Sequence, residues 1–365
     1  MAKLVTLKEA ENIAATYVDA NKIAVNPYAV DTNTLNGLTN KIGKQITLDG
    51  DYKEEELSFM DGETFDTAAE VEEYFINFAK AVDVDKTGAN DDAPSRLTYM
   101  PPSYSKPLGE QTFKITRDYS EVEKAFIDSA NFGTFIATTL KRLEDSSDLY
   151  KNAVKRELLG KYAAKLMSIE NDAAFAKGKA YEAGARVKGG VVLEKMTATE
   201  NTYNNLDAAV AAGKAVKLDL VTKLAIPTDT ASGEALIKSV KKVAEKFKKP
   251  REGYSYNGNI APKAPKYILL IKEGVMPEVE VDTLAGAFQI EKLALPVEMR
   301  VVKDFGSNTD VWAMMVDERA LKLFPSNFYV MSKENATAGA ISYVKHQNFT
   351  AFYSLNCKAH VWKEA

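Results

Sequence analysis

The chain has 365 residues, 45% of them hydrophobic and 27% charged, and a formal charge of −4. This is the composition of a globular protein able to bury sizeable cores, two or three by length, without the strong basic excess that nucleic-acid binders need. One cysteine, Cys357, excludes an intrachain disulfide and fits a reducing compartment.

No stretch of about 18 apolar residues is present, and the first ten residues lack the apolar core of a signal peptide. Synthesis in a cytoplasm without membrane contact is therefore expected. Residues 1–45 read as a short amphipathic helix, with Leu4, Leu7, Ala10, Ile13 and Ala14 at helical spacing, followed by irregular chain rich in Asn, Thr and Gly. Residues 49–74 carry eleven acidic residues against one lysine, Lys53, the pattern of a solvated face or loop. Val71, Tyr74, Phe75 and Phe78 give that stretch one short helical stripe. Asp83 to Pro94 and the prolines at 101, 102 and 107 then make an excursion too long and too poor in core pattern for a compact interior.

Thr112–Thr116 alternate as a strand, with Phe113 and Ile115 on one face. Short helices are expected at 120–128 and 135–143. Ser146, Ser147 and Asp148 are candidate caps for the longest helical pattern in the chain. From there Tyr150, Val154, Leu158, Tyr162 and Leu166 recur every four residues, and the pattern continues to Gly178. At 1.5 Å per residue a helix over 148–177 would be about 45 Å long. Lys155 and Lys161 fall off its apolar stripe.

A small helix follows near Leu206–Ala212, and a second clear one begins at Ser232. It turns Leu236, Val240, Val243, Ala244 and Phe247 inward, and six lysines between 238 and 249 cover the rest until Pro250. Tyr267–Ile271 has the continuous apolar character of a buried strand, and Pro296–Lys303 and Val311–Val316 read as a hairpin. Asp317 could cap a short helix ended by Pro325. Finally Phe349, Ala351, Tyr353, Leu355, Cys357, Ala359 and Val361 alternate with polar residues that include Lys358 and His360. One strand of about thirteen residues, about 43 Å long, is expected there.

The motifs that carry chemistry are missing or incomplete. Gly37 to Gly43-Lys44 has one residue too many for a phosphate loop and is followed by Gln45. Asp83-x-Asp85-x-Thr87-Gly88 starts like a calcium loop, but its twelfth position is Pro94 instead of Glu. The two histidines, His346 and His360, sit in no metal motif, and His360 is expected on the solvated face of the terminal strand. Cys357 falls on the apolar face, as a buried structural thiol would. No catalytic, cofactor-binding or metal-binding residue is assigned, and no enzymatic activity is expected.

The order of these elements resembles the major capsid protein of tailed bacteriophages, the α+β Hong Kong 97-type fold. The texture of Pro265-Lys-Tyr-Ile-Leu-Leu, Pro296-Val-Glu-Met-Arg-Val-Val and Asp317-Glu-Arg-Ala-Leu-Lys is similar to shell proteins of small short-tailed phages of Gram-positive hosts. That resemblance implies an N-terminal arm (1–48), an extended loop (49–119), a peripheral domain with the spine helix (120–215), an axial domain (216–320) and a return to the peripheral domain ending in the terminal strand (321–365). It also implies self-assembly, as pentamers and hexamers, into an icosahedral shell that encloses DNA without sequence-specific binding. Scaffolding, portal and head-decoration proteins would be partners, and the virion, assembled in the host bacterial cytoplasm, the location. A nanocompartment shell of the same fold, another virion part such as a tail tube or portal, and an enzyme with an unrecognised site are the alternatives.

Overall fold

The structure, a computed structural model, describes residues 54–65, 70–73, 103–105, 107–120, 129–226, 230–275, 297–335 and 337–364. The expected helix at Leu4–Ala14, the Asp83–Pro94 segment and nearly all of the 120–128 helix lie outside them. In chain order come β1 (Val71–Glu73), β2 (Ser103–Ser105), β3 (Pro107–Asp118) and α1 (Ser129–Met167). Next are β4 (Arg186–Val187), β5 (Gly190–Val192), α2 (Leu206–Ala211), β6 (Ala215–Lys217), β7 (Val221–Lys223) and α3 (Thr230–Phe247). The last part contributes β8 (Tyr267–Lys272), β9 (Val297–Val302), β10 (Val311–Asp317), β11 (Leu321–Pro325), β12 (Tyr329–Asn335), β13 (Ala340–Tyr353) and β14 (Ala359–Lys363).

The chain divides into two compact units. The first takes its described residues from Met1–Glu70, Lys106–Lys155 and Leu323–Ala351. Here β13 runs between β3 and β12, antiparallel to both, and β11 completes the sheet. Period-2 alternation turns one face of this sheet onto α1, where Tyr150 meets Phe113 and Phe349 at ring distances of 5.8 and 5.3 Å. Val154, Leu323 and Phe349 are buried there.

Part of the acidic segment is built into this unit instead of being an open loop. Leu57 and Met60 are buried by a short 3-10 turn (Glu55–Met60). The following residues lie parallel to the chain at Leu323 and Ser326, with backbone bonds from Gly62 to Leu323 and from Phe65 to Pro325 of 2.9 and 3.0 Å. Gly62 is required, because a Cβ there would sit 2.4 Å from the Phe324 ring. The same segment corrects the reading of Lys155. It is buried, not solvated, and its ammonium meets Asp61 at 2.7 Å.

The second unit comprises described residues of Val71–Ser105, Arg156–Lys322 and Phe352–Ala365. Its five-stranded sheet has the order β7-β14-β10-β8-β9. The helix α3 seats Leu236, Val240, Val243, Ala244 and Phe247 against Tyr267, Leu269, Ile271, Trp312, Met315 and Trp362, the inward set expected from helical spacing. The expected hairpin is not formed. Strand β8, buried from Tyr267 to Ile271, lies between β9, its parallel neighbour, and β10, its antiparallel one. A strand this apolar is most stable with a partner on each side, and the polar 304–310 loop is long enough to span it.

Four further expectations change. The long helix begins at Ser129, absorbing the separate 135–143 helix, and ends at Met167 rather than near 177. Ser146, Ser147 and Asp148 are therefore interior residues and not caps; Ser146 bonds back to the Arg142 carbonyl at 2.8 Å. Beyond the helix, Phe175 stacks on Tyr181 in a small core with Val187, Val192 and Met196, so its apolar side chain is satisfied without a helix. Asp317 starts no helix but precedes a turn and β11.

The terminal strand is two strands, β13 and β14, in different sheets. They are parted at Ser354, whose amide bonds to the Ala320 carbonyl at 2.7 Å and whose hydroxyl accepts from the amides of Asn356 and Cys357. A side-chain-stabilised turn has replaced the ladder there.

Candidate assembly surface and buried polar clusters

The face of the first unit's sheet that contacts α1 is lined by polar side chains in its middle. Lys345 on β13 is buried and pairs with Glu144 of α1. Lys151 lies 3.6 Å from Glu144 and 2.8 Å from Asp148. Ser147 donates to Gln347 at 3.1 Å, and Gln347 donates to the Ser326 carbonyl at 2.9 Å. Burial pushes the Lys345 ammonium below its ordinary range, against the attraction of Glu144. This network fixes the register of β13 on the helix, because a slip of one residue would turn Lys345 and Gln347 away from their partners.

The opposite face of the sheet points away from α1. Cross-strand register places Thr112, His346 and Tyr329 in one row, and Lys114, Val344 and Met331 in the next. Tyr329 and Met331 are about half exposed, as is Leu108. Glu110 accepts from Tyr329 at 2.8 Å and lies 2.9 Å from His346 Nδ1, while the Tyr329 and His346 rings stack at 4.7 Å. Large exposed apolar groups among charged and hydroxyl residues make a surface suited to contact with another protein.

His360, expected on a solvated face, is wholly buried in β14. Its Nδ1 donates to the Asp219 carbonyl and its Nε2 accepts from Thr222, both at 2.8 Å. Burial pushes the imidazole down to about 4, so it is neutral at neutral pH. Beside it, the Asp219 carboxylate accepts from Lys246 at 2.9 Å and from Tyr254 at 2.7 Å. Burial would raise that carboxyl, but these bonds hold it below the usual range.

Lys358 is also buried, correcting its placement on the polar face. Its ammonium caps the end of α3 by donating to the carbonyls of Phe247 and Lys249, at 2.9 and 2.6 Å. Burial pushes it down to about 8. The missed signal was that α3 has no glycine cap, so its last carbonyls needed donors from elsewhere in the fold.

Cys357 is half-buried, and burial pushes its thiol up to about 12, far from the lowered value of a reactive thiolate. Gly37–Lys44 and Asp83–Pro94 lie outside the described residues. Among the described residues no group of three His, Cys, Asp or Glu side chains could hold a metal ion, and no helix is long and apolar enough to cross a membrane. His346 and His360 belong to separate hydrogen-bonded clusters. Their partners, the backbone and residues such as Thr222 and Glu110, hold each ring in a structural setting.

The arrangement is that of a known class. The capsid structure of Staphylococcus phage Andhra matches with a TM-score of 0.50 at 10% identity, covering 84% of each chain. The mature capsid of bacteriophage PhiM1 matches with a TM-score of 0.44 at 9% identity, covering 85% of this chain and 86% of that one. No curated protein matches the sequence. The first likeness identifies the Hong Kong 97-type fold of phage shell proteins, with mixed helix and sheet. Within that class, the family model of the Phi29-like phage major capsid protein matches residues 4–363, and the chain belongs to that family. It is a structural protein of the virion that assembles in many copies into the shell of the phage head.

Proposed function

We propose that this shell subunit acts without catalysis, as pentamers and hexamers that close around DNA in the host bacterial cytoplasm. The observation that supports the reading is the build of the first unit. A buried charged network fixes a long strand on a long helix, while the other sheet face carries Leu108, Tyr329 and Met331 outward. A stiff plate with an unsatisfied outer face is what a quasi-equivalent shell needs, since each copy must be rigid while its contacts vary slightly.

Within this reading, residues 1–48 are an arm, 49–119 an extended loop with its 54–65 part anchored at home, 216–320 the axial domain, and 120–215 with 321–365 the peripheral domain. A scaffolding protein, a portal and decoration proteins are its further partners. The sequence texture favours a small short-tailed phage of a Gram-positive host. Electron microscopy of particles from an expressing cell tests the proposal. Expected are closed shells with five- and six-fold capsomers; tubes or discrete rings alone would refute it.

A further inference from the structure

Strands β1 and β2 pair with each other, Glu73 opposite Ser103, and so join the chain on either side of residues 74–102. Glu73 ties this pair to the rest of the second unit. Its Oε1 accepts from the Ser354 hydroxyl at 2.5 Å, across 281 positions of sequence. Ser354 is the residue that parts β13 from β14, and its hydroxyl also accepts from the amides of Asn356 and Cys357, each at 3.2 Å. A hydroxyl has one proton and two lone pairs. Both lone pairs serve the turn and the proton goes to Glu73, so the turn and the β1–β2 pair share one oxygen.

A hydrogen bond that only held the fold together would not need a carboxylate there. A neutral amide oxygen would accept the same proton at less cost, because a partly buried carboxylate loses hydration that hydrogen bonds replace only in part. Burial pushes the Glu73 carboxyl above its usual range, against the opposing pull of the Ser354 and Asn356 side chains. The same cluster contains Tyr162 from α1, Tyr353 from β13, Cys357 from the turn, Asp317 at the end of β10, and Arg319. Burial raises the Tyr162 phenol and the Cys357 thiol, so both stay neutral. Asp317 is held by Arg319 through two hydrogen bonds of 3.0 and 2.7 Å.

We propose that Glu73 is a proton-operated latch: in its neutral form it fastens the β1–β2 pair to the Ser354 turn, and on ionising it loosens that pair from the second unit. Docking raises the carboxyl above the ordinary 4.5, so the docked state holds the proton more tightly than the released one. The latch is therefore fully closed below pH 4.5 and gives way as pH rises through the raised value. It is a property of the free subunit and does not depend on how many copies a capsomer holds.

Hydrogen–deuterium exchange of the full-length subunit between pH 5 and pH 8, corrected for the intrinsic rate at each pH, tests the latch. In wild type, protection of residues 71–73 and 103–105 should fall by more than about threefold from pH 5 to pH 8. E73Q keeps an acceptor oxygen but cannot ionise, and should hold its pH 5 protection within about twofold across the range. E73A has no acceptor and should be poorly protected there at every pH. His360 acts in the opposite direction, since it destabilises the fold in acid, and E73Q retains it, so the difference between E73Q and wild type isolates Glu73. Wild-type protection that is flat or rises with pH overturns the proposal, as does E73Q that follows wild type. So does E73A that keeps wild-type protection at pH 5. An equal loss from pH 5 to pH 8 at residues 359–363 also overturns it, because the whole unit would then be loosening.

Discussion

Lys345→Met is the sharpest probe of the first unit. The substitution keeps the length and apolar stem of a side chain that is 1% exposed but removes its ammonium from Glu144, whose side chain is 10% exposed. Breaking a buried pair from one side costs about 3–5 kcal/mol, because the remaining charge is left without compensation. Lys151, 3.6 Å from Glu144, retains part of that compensation, so the lower end, about 3 kcal/mol, is expected. For a unit of this size that lowers the melting temperature by about 6–12 °C. The double variant Glu144→Leu/Lys345→Met removes both charges and should recover more than half of the loss. Thermal melts of purified subunits, followed by far-ultraviolet circular dichroism, measure both. The reasoning fails if Lys345→Met melts within about 1 °C of wild type, or if the double variant loses the sum of the two single changes.

Further tests address the second unit. Leu158→Ala should cost about 2–5 kcal/mol, since Leu158 is buried, whereas Lys161→Ala, at an exposed position, should stay within about 0.5 kcal/mol; urea melts separate them. Gly160→Ala inverts the usual helix rule. Alanine normally stabilises a helix, but here its Cβ would sit 2.6 Å from the Phe305 carbonyl oxygen, so a loss of about 1–3 kcal/mol is expected, and a gain would refute the packing. His360 makes stability pH-dependent. The imidazole titrates at 6.5 when unperturbed and at about 4 when folded, so the unfolded chain takes up the proton first. Its contribution is complete above about pH 6.5 and falls by about 3 kcal/mol as pH drops toward 4. Denaturant midpoints of wild type and His360→Gln across that range should converge at the acid end; parallel curves would count against a buried neutral ring.

Helical periodicity was the most legible part of the sequence. The inward residues of α3 and the stripe of Val154, Leu158, Tyr162 and Leu166 are buried as their spacing requires. Periodicity could not reveal what other chain segments cover. Lys155 lies one position from Val154 and looks solvated on a helical wheel, but the segment at Asp61 passes over it. His360 and Lys358 alternate with apolar neighbours and look exposed for the same reason, although β14 is flanked on both edges, by β7 and β10. In such a strand both faces can be buried, and alternation then records polar partners instead of solvent. The break at Ser354 escaped notice because apolar alternation continues through it, while the turn is set by one hydroxyl and two amides. The assembly surface left only a faint mark, since Tyr329 and Met331 gain meaning from their cross-strand neighbours.

Cryo-electron microscopy of particles assembled from this chain tests the central claim most directly. The account predicts closed icosahedral shells in whose repeating subunit density resolves a continuous helix over Ser129–Met167 and an antiparallel sheet in which β13 runs between β3 and β12. Particles that never close, or a repeating subunit without that helix and sheet, would contradict it.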